Sequence, residues 1–167
     1  MDWNNQYVVG IHEIDEQHKM LVEHVSAVER AVSQGDRWAT VHSALVRLAG
    51  VANVHFCVEE SLMRIHDYPR LDEHVNEHRG FADRVRALQE HALKAGVSHD
   101  MVKFLRNWVE RHIPCHDKPY ALHCLRRTAL GERQSRLIPF PASPFPGSNA
   151  TVMPAGYAGR GAGKRAP

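Results

Sequence analysis

The stretch HFCVEE, residues 55–60, places His55 and Glu59 four positions apart, so on an α-helix both side chains would share one face. The same face carries apolar residues further back along the chain, at steps of three or four: Val41, Leu45, Leu48 and Ala52. This pattern predicts a core-facing stripe that contains an imidazole and a carboxylate. Because a buried charge is costly unless it is paired or bound to a metal, the two residues form either a hydrogen-bonded core pair or part of a metal site.

Other helical segments bring similar groups to their apolar faces. His74 and His78 repeat the four-residue spacing, and the remaining candidates are His18, His112 and Asp117. A single histidine on an apolar face is usually a hydrogen-bonded core residue. Five imidazoles and two carboxylates in one small interior exceed what hydrogen bonding alone can satisfy, and the set therefore predicts metal binding.

The number of candidate ligands predicts two metal ions rather than one. Seven side chains exceed one octahedral shell, and Glu59 and Asp117 are carboxylates that can bridge two ions. With an additional solvent-derived oxo or hydroxo bridge, the ion near the third and fourth helices has six ligands. Its neighbour has five, which leaves one open position. Nitrogen and oxygen ligands in octahedral geometry suit iron better than zinc, which prefers tetrahedral sites.

Helical periodicity recurs four times and supplies the elements that must position these residues. Apolar stripes run through about residues 14–32, 38–65, 71–88 and 102–112, and no segment before residue 130 alternates like a strand. The connections are short, so consecutive helices are expected to be antiparallel neighbours. The sequence predicts an all-α fold, an up-and-down antiparallel four-helix bundle in which every helix contributes candidate ligands.

The segment HIPCHD at the end of the fourth helix conflicts with regular helix geometry. A residue five positions along an α-helix is turned about 140° from its starting point, so Asp117 would face away from His112. A π-bulge over this segment would bring both residues to one face, and such bulges are frequent at functional sites. Pro114 favours the distortion because it has no N–H to bond back along the helix. Pro119 is expected to end or bend the helix soon afterwards.

Composition separates a folded domain from a terminal segment. The 167-residue chain has a net charge of +2, but all 19 acidic residues lie at or before Glu132, and five basic residues follow it. Residues 131–167 are rich in Pro, Gly and Ala and have no usable period. This predicts a bundle over residues 1–130 and a disordered basic tail over residues 131–167. The basic residues of the tail are too sparse to predict nucleic-acid binding.

Cysteine usage and hydropathy bear on the compartment. The three cysteines, Cys57, Cys115 and Cys124, form no CxxC pair. Their number and spacing argue against a disulfide framework or a thiolate zinc site and suit a reducing compartment. The sequence has no charged-then-apolar signal at its N-terminus and no run of 18 apolar residues. We therefore expect a cytoplasmic protein without a transmembrane segment.

The motifs VVGIHEIDEQHKMLVEHV, HFCVEESLM, YPRLDEHVNEHRGF and LRNWVERHIPCHDKPY resemble those of the hemerythrin family, in particular single-domain bacteriohemerythrins. The resemblance covers about residues 1–125, and all seven ligand positions are filled in the family's order and spacing. It implies a four-helix bundle with a non-haem di-iron centre that binds O₂ reversibly. The implied role is oxygen storage, delivery or scavenging rather than enzymatic turnover.

The resemblance also implies a role for each site residue. The saturated iron would be held by His74, His78 and His112, the open iron by His18 and His55, and both by the bridging Glu59 and Asp117. O₂ would enter the open position, and its release requires that bulk water and protons stay out. The pocket that the family places over the open iron falls here on Leu21, Phe56, Trp108, Val109 and Ile113.

Two other functions are compatible with such a site. The first is a di-iron oxidase or peroxidase, but enzymes of that kind use mostly carboxylates. Five neutral imidazoles favour the ferrous state, and a saturated iron leaves no room for a bridging substrate. The second is a regulatory module that senses O₂ or iron, which would need a separate partner because no signalling domain is fused to the chain.

Overall fold

The computed structural model describes residues 1–95 and 99–137, and the side chains of residues 1–90 and 99–130. The first element is a 3₁₀ turn, Asn5–Tyr7. Four α-helices follow: α1 His12–Ser33, α2 Trp38–Ile65, α3 Leu71–Ala95 and α4 His99–His112. Helix α4 leads into a π-helical turn, Ile113–Asp117, which leads into α5, Lys118–Leu137. The last three elements follow one another without a break, so the described residues form four helical rods and contain no strand. The predicted all-α four-helix fold is confirmed.

Helix α1 is fixed at both ends by local interactions. The carboxylate of Asp15, in the first turn, accepts the backbone N–H groups of Val9 at 2.7 Å and Gly10 at 3.2 Å. A negative charge at this end also complements the helix dipole. Gly10 has φ +89° and Gly35, just after the helix, has φ +67°, a left-handed conformation that glycine adopts without strain. These contacts orient α1 so that its His18 face meets the other helices.

The core consists of two apolar clusters separated by a polar layer. The larger cluster spans all four rods and includes Leu48, Phe81 and Leu105. The smaller cluster joins the end of α2 to α5 and includes Met63 and Tyr120. Helices α1 and α4 pack on each other, and α2 packs on both α1 and α3. On α2 and on the fourth rod, the candidate ligands lie near the boundary between the two clusters.

The fourth rod is longer than the sequence predicts. Pro119 was expected to end or bend it, and the expectation that it ends there is wrong, because α5 continues to Leu137. Pro119 is the second residue of α5, and a proline is tolerated in the first turn of a helix. Residues 131–137 of the predicted tail are therefore helical, and its remainder, residues 138–167, lies outside the described residues.

Helix α2 is long and apolar enough, by length and composition, to cross a membrane. The core helix of a soluble protein passes the same test, so this finding is weak evidence for a span. In the bundle, α2 carries His55 and Glu59 on its buried face.

We expect Leu48→Ala to lower the free energy of unfolding by about 2–5 kcal/mol, because it leaves a cavity in the larger cluster. Leu48 is 0% exposed and lies more than one helical turn from the polar layer. Val46→Ala is the matched control, since Val46 is on the same helix but 48% exposed, and surface changes usually stay within about 0.5 kcal/mol. Urea denaturation of both variants measures the difference. Equal destabilisation would contradict the described packing.

Candidate metal centre

All seven residues that the sequence singles out as ligands are buried in the layer between the two clusters. Each rod contributes at least one, and none is more than 2% exposed. The set is His18 from α1, His55 and Glu59 from α2, His74 and His78 from α3, His112 from α4, and Asp117 from the π turn. So dense a set of buried polar groups is unusual in a bundle core, where burial of each group requires a partner.

The seven side chains form two overlapping groups, in each of which the potential ligand atoms lie within 4.8 Å of one another. One group is Glu59, His74, His78, His112 and Asp117, and the other is His18, His55, Glu59 and Asp117. The two carboxylates are therefore the members common to both groups. This is the division that counting ligands predicts for two ions joined by two carboxylate bridges.

The two oxygens of Asp117 face different groups. Its Oδ2 lies 3.2 Å from Nε2 of His18, whereas its Oδ1 lies 3.2 Å from Nε2 of His74 and 3.1 Å from Nε2 of His112. Glu59 also lies between the two groups, but its Oε1 is 4.0 Å from His18 whereas its Oε2 lies within 3.2–3.6 Å of His55, His74 and His78, and so contacts both groups. Asp117 therefore has one oxygen toward each group, as a bridging ligand requires, and Glu59 lies within reach of both.

The unsatisfied atoms of this layer test whether a metal fits. None of the following has a hydrogen-bond partner of acceptable geometry: Nε2 of His18, His55, His78 and His112, Oε1 of Glu59, and both carboxylate oxygens of Asp117. A buried polar atom without a partner costs about 1–3 kcal/mol. Seven such atoms converging from four rods fit cations that take nitrogen and oxygen ligands, as iron does.

The other ring nitrogen of three histidines is held from outside the layer. Nδ1 of His18 lies 2.9 Å from the backbone carbonyl oxygen of Tyr7 and so donates to it. Nδ1 of His55 lies 3.2 Å from Oε1 of Gln17, and Nδ1 of His78 lies 3.2 Å from Oε1 of Glu60. Such contacts put the proton on Nδ1 and leave the Nε2 lone pair free for a metal.

Electrostatics within the layer favours charged carboxylates. Burial and the Asp117 charge oppose ionisation of Glu59, but His55, His74 and His78 outweigh them and lower its pKa. The pKa of Asp117 is also held well below its usual range, because His112, His18 and His74 outweigh its burial. Burial alone dominates at His55 and lowers its pKa to about 4, so this imidazole is neutral. At His18 and His74 burial is outweighed by Asp117 and Glu59, which raise the pKa of His18 and raise that of His74 to about 9. Because a histidine binds a metal in its neutral form, metal binding at these two rings would release protons.

The π-helical turn predicted for HIPCHD is present, over Ile113–Asp117. The N–H of Lys118 bonds to the carbonyl oxygen of Ile113, a bond to the fifth residue back. This wider turn brings Asp117 to 3.1 Å from His112, which a regular α-helix would not allow. The backbone distortion is thus tied to the position of one carboxylate.

The five residues that the resemblance assigns to the O₂ pocket are all buried in the larger cluster: Leu21, Phe56, Trp108, Val109 and Ile113. The Phe56 ring stacks on His78 with centroids 3.9 Å apart, and the Trp108 ring stacks on His112 at 4.0 Å. Phe56 also lies 5.8 Å from the ring of His55. The polar layer is therefore covered by aromatic rings on the side of the larger cluster.

Sequence reasoning missed the residues that support the ligands. Tyr120 is fully buried, its ring lies 5.4 Å from that of His74, and its hydroxyl has no hydrogen-bond partner. Burial and the charges of Glu59 and Asp117 raise the pKa of Tyr120, so the phenol stays protonated. The spacing of Tyr120, three residues after Asp117, is the one signal that could have found it. The contacts of Gln17 with His55 and of Glu60 with His78 depend on tertiary packing, so local spacing does not predict them.

Comparison with known proteins agrees with this geometry. The sequence profile of the family described as "Hemerythrin HHE cation binding domain" matches residues 9–120, a range that includes all seven candidate ligands. The chain is 32% identical to the bacteriohemerythrin of Methylococcus capsulatus over 108 residues, which are 64% of this chain and 82% of that protein. It is 25% identical to the myohemerythrin of Theromyzon tessulatum over 118 residues, 71% of this chain and 88% of that protein.

A solved structure has the same fold. The chain superposes on a crystal structure of wild-type hemerythrin with a TM-score of 0.68 and 28% sequence identity. The superposition covers 74% of this chain and 97% of the other. The remaining quarter of this chain has no counterpart in that structure.

We expect Glu60→Ala to weaken iron(II) binding by about 10- to 100-fold, the range typical for loss of a residue that orients a metal ligand. Glu60 accepts from His78 and also pairs with Arg64 at 3.0 Å. Arg64→Ala is therefore the control, because it removes the surface ion pair and keeps the contact to His78. Competition with a chromophoric chelator measures both affinities. Equal weakening by the two substitutions would show that the contact to His78 is not the cause.

Proposed function

Because the chain belongs to the hemerythrin family, we propose that its function is reversible O₂ binding at a non-haem di-iron centre. The observation that carries the proposal is the pair of overlapping ligand groups, which share Glu59 and Asp117 and leave seven buried atoms without partners. Storage, delivery and scavenging of oxygen are all consistent with such a centre.

The proposed assignment gives each iron its own histidines. One ion would be held by His74, His78 and His112, the other by His18 and His55, and Glu59 and Asp117 would bridge them. The second ion then has fewer protein ligands and an open position for O₂. Iron in this site would supply the electrons that O₂ binding requires and recover them on release.

The protein's own residues make binding without turnover the favoured outcome. The outer contacts of His18, His55 and His78 hold the Nδ1 side of each ring, so that the Nε2 atoms are oriented toward the site. Five neutral imidazoles with two carboxylates stabilise the ferrous state better than a carboxylate-rich set does. The buried apolar and aromatic side chains exclude bulk water, which limits proton access and so limits irreversible oxidation to the ferric form with release of peroxide. We therefore propose a binding protein rather than an oxidase or peroxidase.

The cysteines support a reducing compartment. All three are free thiols, and Cys57 and Cys115 are exposed. Exposed thiols persist where the environment is reducing, so we propose a cytoplasmic location. O₂ is the proposed ligand.

The central test measures the iron content of the protein and whether its reaction with O₂ is reversible. We expect anaerobically purified protein to hold two irons per chain, and His78→Ala to hold much less because one ligand is lost. On exposure to O₂ the ferrous protein should change its absorption spectrum, and degassing should restore the ferrous spectrum. One zinc and no iron after expression in iron-rich medium would contradict the di-iron centre. An irreversible ferric product with released peroxide would indicate an oxidase instead.

We expect Leu21→Gln to shorten the lifetime of the oxygenated protein about tenfold, equivalent to about 1.4 kcal/mol, while iron content stays at the wild-type level. Leu21 is 1% exposed and lies one turn from His18, so a polar side chain there would bring water toward the site. Met20→Gln is the control, because Met20 is adjacent and 45% exposed. Decay of the oxygenated absorption band measures both rates. An unchanged lifetime in Leu21→Gln would show that Leu21 does not keep water away from the open position.

A further inference from the structure

A cavity of ≈ 130 Å³ lies between α2 and α3, next to the aromatic rings that cover the candidate metal centre. Its lining residues come from both helices at helical spacing: Ala49, Ala52, Asn53 and Phe56 from α2, and Phe81, Ala82, Val85, Arg86 and Gln89 from α3. Three of these are alanines, whose short side chains leave the space between the two helices unfilled.

The inner end of this cavity is apolar and the outer end is polar. Ala52, Phe56, Phe81 and Val85 are buried, whereas Asn53 and Arg86 are exposed at the mouth. The inner side chains offer no hydrogen bond to an ordered water molecule. The volume is similar to that of an engineered apolar cavity of roughly 150 Å³ that binds benzene or xenon, although this cavity opens to solvent at its polar mouth. The ligand class that suits the inner end is a small apolar molecule such as O₂ or xenon.

One aromatic ring connects the cavity to the centre. Phe56 lines the cavity and also stacks on His78 at 3.9 Å, with His55 at 5.8 Å. Phe81, another lining residue, packs on Trp108 with centroids 4.1 Å apart. Phe56 is thus a residue that both lines the cavity and contacts a candidate metal ligand.

Two other openings near the centre are less suited to a gas. A groove against Trp108 is lined by residues of α4 alone, including the exposed Asn107 and Arg111. A cleft beside His74 is lined mainly by polar residues: Tyr68, Arg70, Glu73 and His116. Polar linings hold water, which would carry protons toward the site, whereas in the α2–α3 cavity the exposed polar residues Asn53 and Arg86 lie at the mouth and the inner residues are apolar.

We propose that the α2–α3 cavity is a gas-binding site and the port through which O₂ reaches the centre. The Phe56 side chain is the gate at the inner end of this port. The part that concerns O₂ rests on the proposed function, whereas gas binding by the cavity does not. A port has a distinctive kinetic effect: it changes the association and dissociation rates by the same factor, because the equilibrium constant depends only on the free and bound states.

Xenon tests the cavity directly. Crystals of iron-loaded protein pressurised with xenon should show an anomalous peak among Ala52, Phe56 and Ala82, and Ala82→Leu should remove the peak. Ala49→Leu fills the same cavity from the other helix and replaces Ala82→Leu if that variant does not fold. A wild-type protein without a xenon peak in this cavity would overturn the proposal.

Stopped-flow mixing with O₂ and laser photolysis or dilution then measure the two rates. We expect Ala82→Leu and Ala49→Leu each to slow association and dissociation by about tenfold, equivalent to a barrier increase of about 1.4 kcal/mol, with the affinity unchanged. Ala27→Leu, a half-buried position on α1, controls for added bulk. Asn107→Trp fills the groove against Trp108. Unchanged rates in both cavity variants, or slowing in Asn107→Trp alone, would overturn the assignment of the port.

The outcome separates this inference from the proposed function. If wild-type protein loaded with iron does not bind O₂ reversibly, the proposed function fails, and the xenon peak alone decides whether the cavity binds gas. If O₂ binds reversibly and both cavity variants keep wild-type rates, the proposed function stands and the port fails.

Discussion

Seven buried polar side chains converge on one layer of the bundle, and seven of their nitrogen and oxygen atoms there have no hydrogen-bond partner. This constraint decides how the rest of the chain is arranged. Each rod must deliver its residues at the same height, so the core is divided into an apolar cluster on either side of the layer. The cost of such a layer is offset when cations occupy it, which couples folding of this region to metal binding.

The π-helical turn is a consequence of the same constraint. His112 and Asp117 must both reach the layer, yet a step of five positions does not return an α-helix to the same face. Widening one turn solves the problem locally, and Pro114 reduces the cost because it has no N–H to contribute to a regular helix. The rod resumes as α5, so the distortion is confined to Ile113–Asp117 and the packing of Tyr120 beyond it is preserved.

Much of this could be predicted from local spacing. The four-residue separations of His55 and Glu59, and of His74 and His78, fix a shared helix face, and the five-residue separation of His112 and Asp117 predicts the π turn. Which oxygen faces which group, and the contact between His18 and the carbonyl of Tyr7, could not be predicted. A backbone carbonyl has no residue-specific signal in sequence, and its position depends on how the N-terminal arm packs.

The extent of α5 was mispredicted because Pro119 was interpreted by residue type alone. In the first turn after the π segment its missing N–H has little effect, and tertiary contacts of Ala121 and Cys124 with the end of α2 hold the helix in place. The α2–α3 cavity escaped prediction for a different reason. Ala49, Ala52 and Ala82 are common helix residues, and a cavity arises only when small side chains from two helices meet.

Reversible O₂ binding places two opposite requirements on the side chains that cover the candidate metal centre. Water and protons must be excluded, which favours dense packing, while a gas molecule must enter and leave. The described residues meet both demands in different ways: large rings, Phe56 and Trp108, stack directly on the imidazoles, and small side chains leave free volume one layer further out. O₂ can enter an apolar passage because it has no hydrogen-bonded water to displace there. A proton can cross the same distance only along a chain of polar groups. In the proposed port, the ring layer beside the centre and the apolar inner end of the cavity together give a physical basis for selecting the gas over the proton.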